Sequence, residues 1–217
     1  MSGPTLEKIV CVGAGRMGRG MAHVFAYSGL PVTLVDFKPR PADDMARLTG
    51  EAMEEIRGSL GFMREAGFMT DDQIEAALAL VSVVGVDGAD AAIAEADLLM
   101  EGVPETREAK ADALGRMSAR AKPEAIIAST TSTMLVTELQ AFVAGPERFL
   151  NSHFLNPAYI IPLVEISPSP TTDPAVVDRL EALYDYCGKV PVRCAASPGY
   201  ILPRLQSLLM SEAARMV

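Results

Sequence analysis

Three groups of residues in this chain have the types and spacings that bind or transform small molecules. The first is the loop Gly13-Ala14-Gly15-Arg16-Met17-Gly18, which follows the apolar run Lys8 to Val12. In such a loop the first glycine permits a tight turn and the second lets the backbone approach a pyrophosphate. The third lets a helix pack close to the strand, with its N-terminus facing the anion. Asp36 lies 18 residues past Gly18, at the end of a second strand-like run, Pro31 to Val35. A carboxylate there accepts hydrogen bonds from a ribose 2′-hydroxyl and repels a 2′-phosphate, which selects NAD over NADP. Lys38 and Arg40 pull towards NADP, and FAD shares the glycine fingerprint without the further segments flavoproteins need. A strand–helix turn that required glycines only for packing would present the same letters.

The second group is His153 and Glu165. His153 ends a predicted strand and precedes Phe154-Leu155-Asn156-Pro157, a loop at the carboxyl end of that strand, where ligands bind in open α/β sheets. Glu165 sits inside the apolar run Pro162 to Ile166, and a buried carboxylate is costly unless paired. A histidine oriented by a glutamate is a general base for alcohol oxidation. The competing readings are a structural histidine at a strand end, and a glutamate paired with an arginine or solvated on an edge. The third group is Ser129-Thr130-Thr131-Ser132-Thr133, after another predicted strand. These hydroxyls either cap the next helix or contact a substrate oxygen. His23, on the inward face of the first helix, reads as a packing residue. Ser197-Pro198-Gly199 reads as a helix entry.

The elements that must hold these groups alternate. Strand, Met17 to Ser28 helix and strand make a β-α-β unit of parallel-crossover size. From Pro41 to Ala66 the apolar residues Met45, Leu48, Ala52, Ile56, Leu60 and Met63 recur in steps of three and four, an amphipathic helix. Thr70 and Asp71 cap a shorter helix running to Leu80. The strands that follow are Val81 to Val84, Asp97 to Met100, Ala125 to Ser129, Phe149 to His153, Leu163 to Ile166 and Val190 to Arg193. Helices are expected in a short Ala-rich stretch before Asp97, over Glu105 to Met117, and over Pro174 to Tyr186 with Asp173 as N-cap. A last helix begins near Tyr200. The pattern is α/β: a Rossmann-type, doubly wound, mostly parallel sheet with a helical excursion after the second strand. The later strands crowd together, so some are expected to be antiparallel.

Composition narrows the partners. The chain has 217 residues, 49% of them hydrophobic, with a net charge of −9. That suits a folded core and argues against nucleic acid or an anionic membrane as partner. No apolar stretch approaches the ~20 residues of a spanning helix, and Met1 to Lys8 lack a signal-peptide pattern. Cys11, Cys187 and Cys194 are odd in number and widely spaced, as expected of reduced thiols in a cytoplasmic protein. Two histidines leave little material for a metal site.

In this order, the motifs resemble the 3-hydroxyacyl-CoA dehydrogenase family over nearly the whole chain. They are Gly13 to Gly18, Asp36, Glu101 to Lys110, Ala128 to Thr133, His153 to Glu165, and Ser197 to Arg204. The most specific part is His153-Phe154-Leu155-Asn156-Pro157 followed by Pro162-Leu163-Val164-Glu165. The resemblance implies an NAD-binding domain over residues 1–196 and, over 197–217, the first helix of an all-helical C-terminal domain that is largely absent. A fragment of a longer dehydrogenase, dimeric when that domain is present, is the corresponding expectation. It also implies roles. His153 takes the proton of the 3-hydroxyl of an L-3-hydroxyacyl-CoA, Glu165 holds the imidazole, and Ser132 and Asn156 contact substrate oxygen and cofactor. Gly13, Ala14, Gly15, Arg16, Met17, Gly18, Asp36, Glu105 and Lys110 serve NAD, and no metal is needed. The place in metabolism it implies is fatty acid metabolism.

Two departures bear on this. Pro203 stands where the family usually has Asn before Arg204. The excursion is acidic, whereas coenzyme-A users tend to be basic there. Relatives that oxidise free hydroxy acids, of the L-gulonate or carnitine type, share the look of Tyr159 to Glu165 and form the alternative. A non-catalytic NAD-binding module is the alternative of another class.

Overall fold

The computed structural model describes residues 5–216. Met1 to Pro4 and Val217, the ends of the two expected segments, lie outside the described residues. Eight strands form one sheet: β1 (Ile9–Val12), β2 (Val32–Val35), β3 (Val81–Val84), β4 (Leu98–Glu101), β5 (Ile126–Ser129), β6 (Phe149–Phe154), β7 (Leu163–Pro168) and β8 (Val190–Arg193). Their spatial order is β3-β2-β1-β4-β5-β6-β7-β8. All neighbours are parallel except β6 and β7, which run antiparallel. The order reverses between β1 and β4, so the carboxyl ends of those two strands open a crevice.

The central strands β1, β4, β5 and β6 are buried along their whole length. That explains the apolar runs Ile9 to Val12, Leu98 to Met100 and Ile126 to Ala128, since both faces of a parallel sheet are covered, whereas β6 buries the polar Asn151, Ser152 and His153. Alternate residues serve alternate layers. Ile9 and Cys11 point into one core, with residues of the helices α1 (Arg16–Tyr27), α2 (Ala42–Glu65), α3 (Asp71–Leu78) and α7 (Pro174–Tyr186). Val10 and Val12 point into the other, with α4 (Val86–Glu95), α5 (Arg107–Arg120) and the single turn α6 (Val136–Leu139).

Helix boundaries follow local chemistry. Thr70 and Gln73 close a reciprocal capping box on α3, and Asp173 caps α7 ahead of Pro174. Thr106 caps α5, which therefore begins two residues after the expected Glu105. The last helix, α8 (Leu202–Arg215), also begins later than expected. Tyr200 has φ 43°, a left-handed conformation that a helix cannot include. No residue of α8 is buried. Among the described residues no helix is long and apolar enough to cross a membrane.

Candidate active site

The glycine loop occupies the crevice between β1 and β4. Gly13 has φ 108°, and a Cβ there would come within 2.6 Å of the Gly102 carbonyl oxygen, on the loop after β4. A Cβ on Gly18 would lie 1.9 Å from the Gly13 carbonyl oxygen, so this glycine sets the approach of α1 to β1. At Gly15 a Cβ would meet nothing within 4 Å. Packing does not demand a glycine there; the open space in front of α1 is what its absent side chain preserves. No side chain caps the first turn of α1, which leaves its N–H groups to an anion. The resulting cleft of about 740 Å³ is lined by the loop, Asp36, Phe37, Lys38, Arg40 and Asn156, among others. Asp36 is buried at the end of β2 and ion-paired with Arg40. The residues present therefore suit a dinucleotide: a glycine-lined approach to a helix N-terminus and an acceptor carboxylate one strand away.

A second cavity adjoins the first. Met17, Gly102, Val103 and Asn156 line both, and the second also takes in Glu105, Ser132, His153, Pro203 and Gln206. His153 and Glu165 stand directly opposite each other across the antiparallel β6–β7 pair. Their 12-residue separation is thus the reach of one hairpin. His153 Nδ1 lies 2.7 Å from Glu165 Oε2, both residues are buried, and Nε2 has no partner among the described residues. A carboxylate can only accept, so in the neutral imidazole the proton sits on Nδ1 and the lone pair on Nε2. The other Glu165 oxygen accepts the N–H groups of Ile201 (2.9 Å) and Leu202 (2.7 Å).

Behind the cavity lies a buried charge network. The Lys110 ammonium sits 3.0 Å from both Glu101 oxygens and 3.1 Å from Glu105 Oε2. Lys110 is buried and turned inward, so it bears on the cavity through Glu105 rather than by facing it. Glu101 also receives the Ser129 hydroxyl and the Val103 N–H at 2.8 Å. Glu105 Oε1 accepts the Thr131 hydroxyl, the Thr133 hydroxyl at 3.0 Å and the Ser132 N–H at 3.0 Å. Burial pushes the Glu105 carboxyl up, but the Thr131 hydrogen bond and the Lys110 charge outweigh it and hold it below the usual range. The hydroxyl cluster therefore does not cap the following helix, whose N-cap is Leu135. Three of its side chains tie β5 to the two glutamates, and the Ser132 hydroxyl is left facing the cavity.

Two participants lie within motifs quoted from the sequence but were given no role there. Tyr200 stacks on His153, with ring centroids 5.2 Å apart and planes 25° apart. Its hydroxyl donates to the Thr131 carbonyl and accepts from Asn151 Nδ2, each at 3.0 Å. Glu101, the hub of the charge network, carried the signal that exposed Glu165: a carboxylate closing an apolar run, Leu98 to Met100. Of the departures, Pro203 lines the cavity and Arg204 donates to the Ser197 hydroxyl at 2.7 Å. His23 is buried in packing against Ser59 and Tyr159, and burial lowers its pKa to about 4.

Residues 8–197 match the family model described as "3-hydroxyacyl-CoA dehydrogenase, NAD binding domain". Lambda-crystallin of Oryctolagus cuniculus is 32% identical over 219 aligned positions, covering 100% of this chain and 66% of that protein. L-carnitine dehydrogenase of Streptomyces griseus is 33% identical over 213 positions, covering 98% and 60%. The structure of (S)-3-hydroxybutyryl-CoA dehydrogenase from Ralstonia eutropha superposes with a TM-score of 0.87 at 27% identity, covering 96% of this chain and 70% of that one. The chain spans 66% and 60% of the length of these two curated relatives.

Proposed function

Since the chain belongs to the 3-hydroxyacyl-CoA dehydrogenase family and carries its NAD-binding domain, we propose that it oxidises the 3-hydroxyl of an L-3-hydroxyacyl-CoA to the 3-oxo form. Above all, the His153–Glu165 pair, with His153 lining the cavity that adjoins the nucleotide cleft, supports this reading. NAD, when bound, supplies the hydride acceptor. The chain's own residues do the rest. The Gly13–Gly18 loop and the α1 N-terminus, with Ala14, Arg16 and Met17 at the cleft wall, receive the pyrophosphate, and Asp36 accepts from the ribose. His153 Nε2 takes the hydroxyl proton, and Glu165 stabilises the imidazolium that results. Ser132 and Asn156 border the same space and orient the substrate oxygen. Glu105, held by Lys110, fixes the loop that carries Ser132. In the reverse direction protonated His153 returns the proton to the forming alkoxide.

His153→Gln tests the reading. Turnover of acetoacetyl-CoA with NADH should fall about 10²- to 10⁴-fold, the worth of a general acid–base, while NADH binding measured by nucleotide fluorescence stays in place. Undiminished turnover would sink the assignment, and NADH binding with no turnover in the parent chain would favour a non-catalytic module.

A second reading, a free 3-hydroxy acid as substrate, is favoured by one observation. Between residues 42 and 80 nine acidic residues stand against three arginines. Arg47 pairs with Asp44 and Glu51, Arg57 with Glu75, and Arg64 with Asp71. No arginine of the excursion is left to meet the phosphates of coenzyme A. Comparing acetoacetyl-CoA with free 3-oxo acids decides between the two. Residues 1–196 are read as the NAD-binding unit. The last helix, with nothing buried, is read as the start of a separate helical one.

A further inference from the structure

Asn156 borders three spaces at once: the nucleotide cleft, the cavity that holds His153, and a groove of about 150 Å³ between α1 and α2. Its side chain makes no hydrogen bond among the described residues, so its place is set by the backbone turn that follows it. The Pro157 carbonyl accepts the N–H groups of Ile160 (3.1 Å) and Ile161 (3.0 Å). The carbonyls of Ala158 and Ile161 both accept from one ammonium, that of Lys189, the second at 3.2 Å. Lys189 immediately precedes β8, and its neighbour Val190 donates its N–H to the Pro162 carbonyl at 2.8 Å. Lys189 is only 8% exposed, and no carboxylate pairs with it among the described residues. A buried ammonium without a counter-charge is costly, and the two carbonyls of this turn are what offset it. On its other side the turn meets α1: a Cβ on Gly20 would come within 3.2 Å of Ala158 Cβ. The turn is held between a helix backbone and a lysine, and it delivers Asn156 to the junction of the cavities.

We propose that Lys189 is a positioning residue for the reaction: its ammonium locks the turn over 157–161 and so fixes where Asn156 meets substrate and cofactor. The proposal rests on the dehydrogenase reading above. Lys189 itself borders neither of the two adjoining cavities; it lines a separate one with His23, Tyr159 and Cys187. Its removal leaves two carbonyls without their donor and the turn free to shift. A displacement of about 1 Å in an orienting group is worth up to about 10²-fold in rate.

The test is a double-mutant cycle on the turnover of acetoacetyl-CoA with NADH by the 217-residue chain. Lys189→Met, which keeps an apolar stem and removes the donors, should lower kcat about 10- to 100-fold, while NADH binding measured by nucleotide fluorescence is retained. Asn156→Ala should lower kcat by itself. In the Asn156→Ala background Lys189→Met should cost less than about 2-fold more, because the residue it acts through is already gone. Equal losses in the two backgrounds would make Lys189 a general structural part and overturn the proposal, as would undiminished kcat in either single variant. Should Lys189→Met not fold, Gly20→Ala displaces the turn from the α1 side and is read in the same cycle. Its loss of turnover should vanish in the Asn156→Ala background, and a loss that persists there would also overturn the proposal. His153→Gln in the same assay separates the two levels. If it loses turnover while the Lys189 and Asn156 losses add, the positioning role alone is overturned. Full turnover in His153→Gln, or none in the parent chain, overturns the dehydrogenase reading and this role with it.

Discussion

Glu165 is a single carboxylate shared by three parts of the molecule. It faces its cross-strand neighbour His153 and accepts both backbone donors that open α8. The residue was legible because a charge inside an apolar strand demands a partner. Tyr200 was not, because an aromatic residue before a helix reads as ordinary core. Its hydroxyl is buried, and burial raises its pKa, so it remains a donor at any working pH. Tyr200→Phe keeps the ring against His153 but strands the Thr131 carbonyl. It should cost about 1–3 kcal/mol, the penalty of an unsatisfied buried group, read as a lower urea midpoint with the same slope. An unchanged midpoint would mean that the hydroxyl bridges nothing of consequence.

At the scale of elements, the glycine loop separates two requirements that its sequence merges. Gly18 is needed by the fold, because a methyl there meets the Gly13 carbonyl oxygen at 1.9 Å. Gly15 is needed only by something that enters the cleft. Gly18→Ala should therefore destabilise the chain by about 3 kcal/mol, as overpacking does, and lose NADH with it. Gly15→Ala should cost at most about 1 kcal/mol, the difference between glycine and alanine at an N-cap, yet weaken NADH binding clearly. Equal losses of stability in the two variants would contradict this division. Every strand was placed from the sequence, most of them as apolar runs, although β6 carries Asn151, Ser152 and His153. Which pair turns antiparallel was not legible: β6 and β7 are joined by an eight-residue loop whose letters permit either sense. The start of α8 was misplaced because nothing in the letters forces φ 43° on Tyr200.

The whole molecule is stabilised unevenly. Its sheet is covered on both faces by apolar layers, while α8 carries Leu205, Leu208, Leu209 and Met210 with half or more of their surface exposed. Helical propensity does not hold 14 residues together unaided, since isolated helices of roughly that length are marginal in water. What α8 does have is its first turn: the Ile201 and Leu202 amides on Glu165, with Tyr200 anchored behind His153. Local opening should then follow contact rather than secondary structure. In hydrogen exchange, residues 205–215 should lose protection far sooner than α1 or the central strands. The amides of Ile201 and Leu202 should outlast the rest of their helix. Protection of 205–215 equal to that of α1 would show that the exposed apolar face is held by something other than this first turn. Rapid exchange at Ile201 and Leu202 would instead detach α8 from Glu165, leaving the orientation of His153 to the β6–β7 pair alone.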